Sequence, residues 1–580
     1  EHDYDDYLKS LIENKHIHQS DVIDFGSVAN IPASEFFGAA VWQLYKSIHS
    51  PYKSLMKLLL MEVYAGEKPS ISLLSLLFKQ AIYDGIDKLN DLDPYLMMYK
   101  KVEEYLMIRN QRERLELFRQ CLYIKIKEPL SQNNKKKSWR RDLFEQIVLD
   151  WGWNHEHFTV MDSQKEWQIN MISQQRNRLM NALSDSYRFL SAFAKRNTEM
   201  SRVNQTELNV LGRKLYAAFE RKAGKVDIIN HDNESNINYS KITIYQKQSS
   251  ADKDSWLMYQ GHVNPKLAKN ITPIKRTQNV MELISWAYFN KIINSHSAIS
   301  LLNQDSLTVK ELRQLLNAFE EQFPTRSLPE ADFNDLNQAA RIQQACLFIN
   351  VGYMPNVGNI DQNGHISSTR DNILSYGAQH SNLAYRFDLI ISTTWEELLT
   401  FHFEGPDALL QCLCEYLRWA PLNQTVGPPK FSAFSYSSSY GPAITRRIEE
   451  LFQDVINTYY SKTLKENVHY LIEVEDCYYK LHVEGNYINY DYVGTQTVLM
   501  RSLAMHSPIF NRTIFDRKTQ GSQTLQQLFL LNKAEHIQLF YEIQENMADI
   551  YILDENGALF FQTIPFHDSH ALINHFNLFF

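Results

Sequence analysis

The residues of this chain that could do chemistry are few and scattered. Asp91-Leu92-Asp93 has the spacing of a carboxylate pair that could hold divalent ions during phosphoryl transfer. No Gly-Ser precedes it at short range and Pro94 follows directly, so we do not read it as a metal site. No GxxxxGK(S/T) phosphate loop, GxGxxG fingerprint or HExxH zinc motif occurs. The five cysteines, Cys121, Cys346, Cys412, Cys414 and Cys477, lack paired zinc spacing and are expected to be reduced thiols in or near a core. One segment has the makings of an anion site. In FSAFSYSSSYGPAITRRIEE an apolar run gives way to Ser437, Ser438, Ser439 and Gly441, then to a proline-started helix carrying Arg446 and Arg447. A helix N-terminus attracts anions, and a plain polar loop is the alternative.

The elements that would position these residues come from the apolar pattern. With 580 residues the chain exceeds the roughly 250–300 at which a single core stops growing, so several domains are expected. Its 44% hydrophobic and 22% charged residues are those of a folded protein. A net charge of −8 argues against nucleic-acid binding, which needs a basic footprint. The apolar run Leu58-Leu59-Leu60-Met61 falls far short of the roughly 18 residues of a membrane span, and a cytoplasmic location is expected. The chain opens in EHDYDDY without a methionine and closes in the apolar ALINHFNLFF, ends expected of an excised piece.

Up to residue 223 the spacing predicts helices. Phe37, Ala40, Val41, Leu44, Tyr45 and Ile48 share one helical face, and Ser50-Pro51 ends that run. Further helices are predicted over Met98–Leu106, Leu115–Ile126 and Leu143–Trp151, broken by Asp93-Pro94, Lys135-Lys136-Lys137 and Gly152. A last one carries Leu208, Leu211, Leu215 and Phe219 and stops before Gly224. From Val226–Ile229 onward the period becomes two, with strands predicted around Ile242–Ile244, Trp256–Tyr259 and Cys346–Val351, and helices over Leu283–Ile293 and Val309–Phe319. The polar stretch 355–385 reads as a long surface loop. HYLIEVEDCYYKLHVEGNYINY predicts three antiparallel strands, turning at Glu475-Asp476 and Gly485-Asn486. IQLFYEI, ADIYIL and ALFFQT predict another set, with Asn556-Gly557 as a turn. The expected fold is multidomain α+β: helical 1–223, α/β 224–385, and α/β 386–580 with antiparallel strands.

EFFGAAVWQLYK, Glu35 to Lys46, resembles the first signature of class I bacterial adenylate cyclases: Glu-Tyr-Phe-Gly, two small residues, then Leu-Trp-x-Leu-Tyr-Lys. Ten of twelve positions comply, with Phe36 for Tyr and Val41 for Leu. SPYKSLMKLLLMEVY, LDPYLMMYKKVEEYL, SWRRDLFEQIVLDWGW, LGRKLYAAFE, LISWAYFN and IYILDENG resemble further family blocks in order. The second signature, Tyr-Arg-Asn-x-Trp-Asn-Glu, an aliphatic residue, then Arg-Thr-Leu-His-Phe-x-Gly, is half kept in ISTTWEELLTFHFEG. Trp395, Glu397, Thr400, His402, Phe403 and Gly405 match, whereas Ile391, Ser392, Thr393 and Leu399 depart.

The resemblance implies a nucleotidyltransferase that cyclises ATP to 3′,5′-cyclic AMP and diphosphate, with a Gly-Ser loop and an Asp-x-Asp pair holding Mg2+ and the phosphates. Those carboxylates are not found here. The chain is therefore expected to be the helical support and regulatory portion, inactive alone, with the catalytic domain preceding it in cis and Mg2+ belonging to the full enzyme. Lys46, Arg140, Arg141, Arg213 and Lys214 would be supporting cations for ATP, or else a solvated face. His402 matches a histidine implied to be phosphorylated by the glucose-specific phosphotransferase carrier in carbon catabolite regulation, and a surface filler is the alternative. The resemblance also makes the Ser438, Ser439, Gly441 and Arg446 segment a strand-loop-helix connection. The competing expectation is a binding module, for that carrier or for a small anion, without part in catalysis.

Overall fold

The computed structural model describes residues 2–565 except 22–32, 49, 68–70, 87, 133–138, 197–204, 221, 230–238, 248–254, 265–270, 303–306, 355–371, 378–379, 424–426, 439, 461–467, 496–497, 499–510, 517–537, 545–546 and 554–557. The expected Lys135-Lys136-Lys137 loop and the Asn556-Gly557 turn lie outside the described residues. The chain divides into two compact units. The first is Glu1–Arg221 with Ile228–Asn238 and Asp332–Gln338; the second is Lys222–Asp227 with Tyr239–Ala331 and Ala339–Phe580.

The first unit is helical, as the spacing predicts. Its helices are α1 (His2–Glu13), α2 (Ala33–Lys46), α3 (Pro51–Glu67), α4 (Leu74–Tyr83), α5 (Leu89–Leu92), α6 (Pro94–Ile108), α7 (Arg112–Ile126), α8 (Trp139–Asp150), α9 (His155–Asp162), α10 (Ile169–Arg196) and α11 (Gln205–Phe219). Pro51 and Pro94 sit at first helical positions, where a missing N–H costs nothing. On α3 the residues Leu55, Leu58, Leu59 and Val63 form the buried stripe, packed with Val102, Leu106, Phe118, Cys121 and Leu183 in one core. Glu62 falls on the same stripe and is equally buried, so its charge must be met inside the protein. Arg114 of α7 meets it with two bonds, of 2.6 and 3.1 Å, and the Ser186 hydroxyl of α10 donates to it as well. Trp153 and the partly buried Trp151 are core aromatics.

The second unit is built on sheets. Its strands are β1 (Lys241–Lys247), β2 (Ser255–Gln260), β3 (Lys275–Thr277), β4 (Ala298–Leu302), β5 (Ile342–Ile349), β6 (Arg386–Thr393), β7 (Leu398–Glu404), β8 (Phe431–Ser435), β9 (Val468–Val474), β10 (Cys477–Glu484), β11 (Tyr487–Gly494), β12 (Asn511–Phe515), β13 (Gln538–Gln544), β14 (Met547–Leu553) and β15 (Ala558–Pro565). Its helices are α12 (Val280–Phe289), α13 (Val309–Gln322), α15 (Ala408–Arg418) and α16 (Gly441–Tyr460); the intervening α14 (Phe333–Asn337) belongs to the first unit. Three sheets have the orders β3-β2-β1-β4, β7-β6-β5-β8 and β11-β10-β9-β12-β15-β14-β13. Each is antiparallel but for one parallel pair: β1 with β4, β5 with β8, β9 with β12. The α+β class stands, and the two predicted strand sets of the last third join in one sheet through β12.

Three expectations are corrected. A boundary at 385/386 would cut the sheet β7-β6-β5-β8, because β5 pairs with β6 on one side and β8 on the other. The 355–385 stretch is not wholly a surface loop, since Ile373, Leu374, Leu383 and Ala384 are buried in the core beneath that sheet. Val226–Ile229 forms no ladder: Lys225 alone bridges Leu399, flanked by Thr400 N–H to Gly224 O at 2.7 Å and Val226 N–H to Leu398 O at 2.9 Å. That short pairing covers the outer edge of β7, a position that otherwise leaves backbone groups unpaired. Gly224 is required there, with φ +76° and no room for a Cβ against the Thr400 carbonyl.

The buried Glu62 pair yields a prediction. Replacing Arg114 by Met strands a carboxylate in the core and should lower stability by about 3–5 kcal/mol in urea denaturation, whereas the double variant Glu62→Leu/Arg114→Leu should recover most of the loss.

Candidate functional site

Asp91 and Asp93 do not fit a pair of Mg2+ ions. The Asp93 carboxylate caps α6, accepting from Tyr95 N–H at 2.9 Å and Leu96 N–H at 3.2 Å, and its second oxygen takes the Arg140 guanidinium at 2.9 Å. Asp91 faces Lys100 at 3.7 Å. One carboxylate is thus committed to a helix end and the other to a surface pair. No step of metal-assisted chemistry is assigned to them.

The cations expected at an anion divide into two kinds. Arg140 is held by Asp93 and stacks on Trp139, while Arg141 donates to the carbonyls of Pro129 and Gln132, each at 2.7 Å. Arg213 donates to Leu336 O at 2.9 Å and Gln338 O at 3.3 Å, closing the end of α14. These three brace helix ends and loops. Lys46 and Lys214 are instead brought to one place, the C-terminal end of α2. There Trp42 and Tyr45 stack with ring centroids 5.7 Å apart, Lys46 Nζ lies 4.9 Å from the Trp42 ring, and the buried Lys214 Nζ lies 4.2 Å from the Tyr45 ring. Trp42 is exposed. Besides Lys46, lysines that the sequence did not single out act on one another here: burial first, and then the charges of Lys53, Lys46 and Lys125, hold the pKa of Lys57 below its ordinary value. The signal for them was positional, one residue near the end of α2, two in the first turns of α3 and one in the last turn of α7.

In the second unit the kept residues of the second signature each have a partner. Glu397, buried, takes Lys222 Nζ at 2.8 Å. Thr400 binds Gly224 O through its N–H and hydroxyl. Gly405 has φ +134° and donates to Tyr385 O. His402 lies directly across from Asp388 in the β6–β7 ladder, and its Nδ1 is 2.8 Å from Asp388 Oδ1. Asp388 is 3% exposed and also accepts from Asn279 Nδ2 at 3.0 Å, while Asn279 Oδ1 caps α12 by accepting from Met281 and Glu282 N–H. A carboxylate that only accepts fixes the proton of His402 on Nδ1, leaving the Nε2 lone pair outward, 3.6 Å from Glu404. Partial burial pulls the His402 pKa down, but the bond and charge of Asp388 and the charge of Glu404 outweigh it, and the net shift is upward from 6.5.

The segment after β8 is a strand-loop-helix connection, as expected. Ser439 lies outside the described residues; Ser438 and Arg446 are exposed. Gly441 begins α16 so close to the Ser435 carbonyl that a Cβ could not be placed, and its N–H is taken by Ser437 O at 3.1 Å. The neighbouring Arg447 is the buried one, paired with Asp516 and 3.3 Å from Asn372 Oδ1. A cavity of about 360 Å3 is lined by Glu415, Arg418, His482, Glu484 and Asp491 among others, and its carboxylates outnumber its cations. That balance does not favour a small anion.

Among the described residues no helix is long and apolar enough to cross a membrane. Residues 31–230, 238–327 and 330–507 match family models described as the second, third and fourth domains of class I adenylate cyclase. The adenylate cyclase of Yersinia intermedia is 32% identical over 468 residues, covering 80% of this chain and 55% of that protein. That of Escherichia coli (strain K12) is 31% identical with the same coverage, and that of Proteus mirabilis 31% identical over 79% of this chain and 53% of its own length. The chain thus spans about half the length of the curated relatives it matches. No solved structure matches it. With three successive domain models matched in order and both signatures seated at the two clusters just described, the chain belongs to the class I adenylate cyclase family.

Proposed function

We propose that this chain is the supporting and regulatory portion of an enzyme that converts ATP to 3′,5′-cyclic AMP and diphosphate, and that alone it makes no cyclic AMP. In that enzyme Mg2+ would be held with ATP by a preceding catalytic domain rather than by Asp91 or Asp93, whose carboxylates are spoken for. The observation that carries the proposal is the cationic end of α2. There burial first, and then the charges of Lys53, Lys46 and Lys125, lower the pKa of Lys57, in a chain whose net charge is −8. An anion beside these lysines would offset their mutual repulsion, and a triphosphate is the anion that the family's substrate supplies. The exposed Trp42 ring beside it offers a flat apolar surface at the same place.

We further propose that His402 accepts a phosphoryl group on Nε2 from the phosphohistidine of a glucose-specific phosphotransferase carrier, whose own histidine leaves as the neutral imidazole. Support comes from the buried Asp388, which occupies Nδ1 and turns Nε2 toward solvent. The cytoplasm is where such a carrier would meet it.

Two sets of measurements test these proposals. The chain assayed with ATP and Mg2+ should give no cyclic AMP, and activity should appear on mixing with a separately expressed upstream domain; turnover by the chain alone would sink the first proposal. In the full-length enzyme Lys46→Ala/Lys57→Ala should lower kcat/KM roughly tenfold, the effect of about 1.5 kcal/mol from a lost charged contact, with thermal stability kept. Arg140→Ala/Arg141→Ala should instead lower Tm, because those side chains hold α6 and the 129–132 loop. For His402, the phosphotransfer rate should rise as pH increases through its raised pKa, since only the neutral ring has a free Nε2 lone pair. Asp388→Asn should move that midpoint to lower pH, and His402→Gln should abolish labelling; labelling that survives in His402→Gln would refute the assignment.

A further inference from the structure

The hairpin β9–β10 and the loop beneath it carry three donors that none of the chemistry above uses. Glu473 lies near the end of β9 with its side chain buried, Asp476 lies in the turn that follows, and His380 comes from the far segment between β5 and β6. One ligand atom from each falls within 4.8 Å of the other two, and His380 Nδ1 touches Asp476 Oδ1 directly. Donors around a divalent ion at roughly 2.0–2.2 Å from the metal lie no more than about 4.4 Å from one another, so the three atoms are within a few tenths of an ångström of a coordination shell.

The two chain segments are fixed to each other before any ion arrives. Glu475 N–H donates to Leu374 O at 2.8 Å, and Ser375 Oγ donates to Glu475 O at 3.2 Å. Glu475 itself takes φ +55°, the left-handed turn that brings the carboxylates on either side of it together. Tyr376 and Ser381 exchange two backbone bonds, of 2.9 and 3.0 Å, closing the loop that presents His380. A ligand set drawn from a strand, a tight hairpin and a segment hydrogen-bonded to that hairpin is preorganised, which is the condition for a selective site.

We propose that His380, Glu473 and Asp476 bind one divalent transition-metal ion, with water completing the coordination. The donor set, one imidazole and two carboxylates without thiolate, suits Zn2+, Co2+ or Mn2+ better than Mg2+ or Ca2+, which prefer oxygen alone. The ion links the segment around His380 to the β9–β10 hairpin. It stands apart from the Mg2+ that would accompany ATP.

The test uses the untagged 580-residue chain, stripped with a chelator and dialysed. Titration with Zn2+ in a calorimeter should show one saturable site, and melting should show a Tm that rises with Zn2+ concentration. Co2+ should give d–d absorption without a thiolate-to-cobalt charge-transfer band, which separates this site from the five cysteines. His380→Ala and the milder Asp476→Asn should each weaken binding on the order of tenfold or more and remove the Tm response. Asp476 is largely exposed, so its amide variant should fold even where the histidine variant does not. No saturable binding, a thiolate band, or affinity unchanged in Asp476→Asn would overturn the proposal and leave His380 and Asp476 as an ion pair alone.

Discussion

Asp388 carries a charge into the buried face of β6, and much of the second unit is arranged to meet it. Its strand, RFDLIIST, is buried at every residue but the first. A carboxylate there is tolerated only if donors reach it. One donor is His402, its direct cross-strand partner; the other is the Asn279 amide, whose oxygen caps α12. A slip of one residue between β6 and β7 would turn His402 to the other face and leave the carboxylate unpaired, so this one contact fixes the register, the tautomer of His402 and the seat of α12 together. A candidate regulatory residue is thereby positioned by the same interaction that makes the sheet unique.

The same constraint recurs at points far apart in sequence. Glu62 with Arg114 ties α3 to α7 and α10, Glu397 with Lys222 ties the residues before β7 to the covering segment at its edge, and Arg447 with Asp516 ties α16 to the end of β12. Each is a buried charge whose partner cannot be removed without stranding it. The cations at the end of α2 are the contrast. Arg140, Arg141 and Arg213 spend their donors on helix ends and carbonyls, whereas Lys46 lies over the exposed Trp42 ring and its charge, after burial, helps to lower the pKa of Lys57.

Elements governed by local spacing were legible in the sequence. The helical face of α2, the helices α7 and α13 and the hairpins of β9–β11 follow from periods of 3.6 and two, and the structure has them at those places. What depended on distant partners was not. Val226–Ile229 alternates like a strand, yet only Lys225 bridges a neighbour, because the sheet there has an edge to cover and not a place for another full strand. The division at 385 followed a polar composition, but that stretch joins two adjacent strands of one sheet and returns apolar residues to its core. Of the candidate site residues, His402 lies on a strand with its side chain opposite to Phe401 and Phe403, as the period of two predicts, while Asp388 and Asn279, which make it chemically distinct, have no fixed spacing from it. Lys53, Lys57 and Lys125 were missed for the same reason: they converge only once three helices pack.

The departures from the second signature fit this picture. The family pattern has Tyr and Arg where this chain has Ile391 and Leu399, and those two positions face each other in the β6–β7 ladder. Both are now apolar and both are buried in one core. An isolated loss of either polar partner would leave the other unpaired in a strand interior, whereas the joint exchange replaces one matched cross-strand pair by another at little cost. Four of the six kept residues reach beyond their own hairpin turn: Glu397 to Lys222, Thr400 to Gly224, His402 to the Asp388 that also holds α12, and Gly405 to Tyr385.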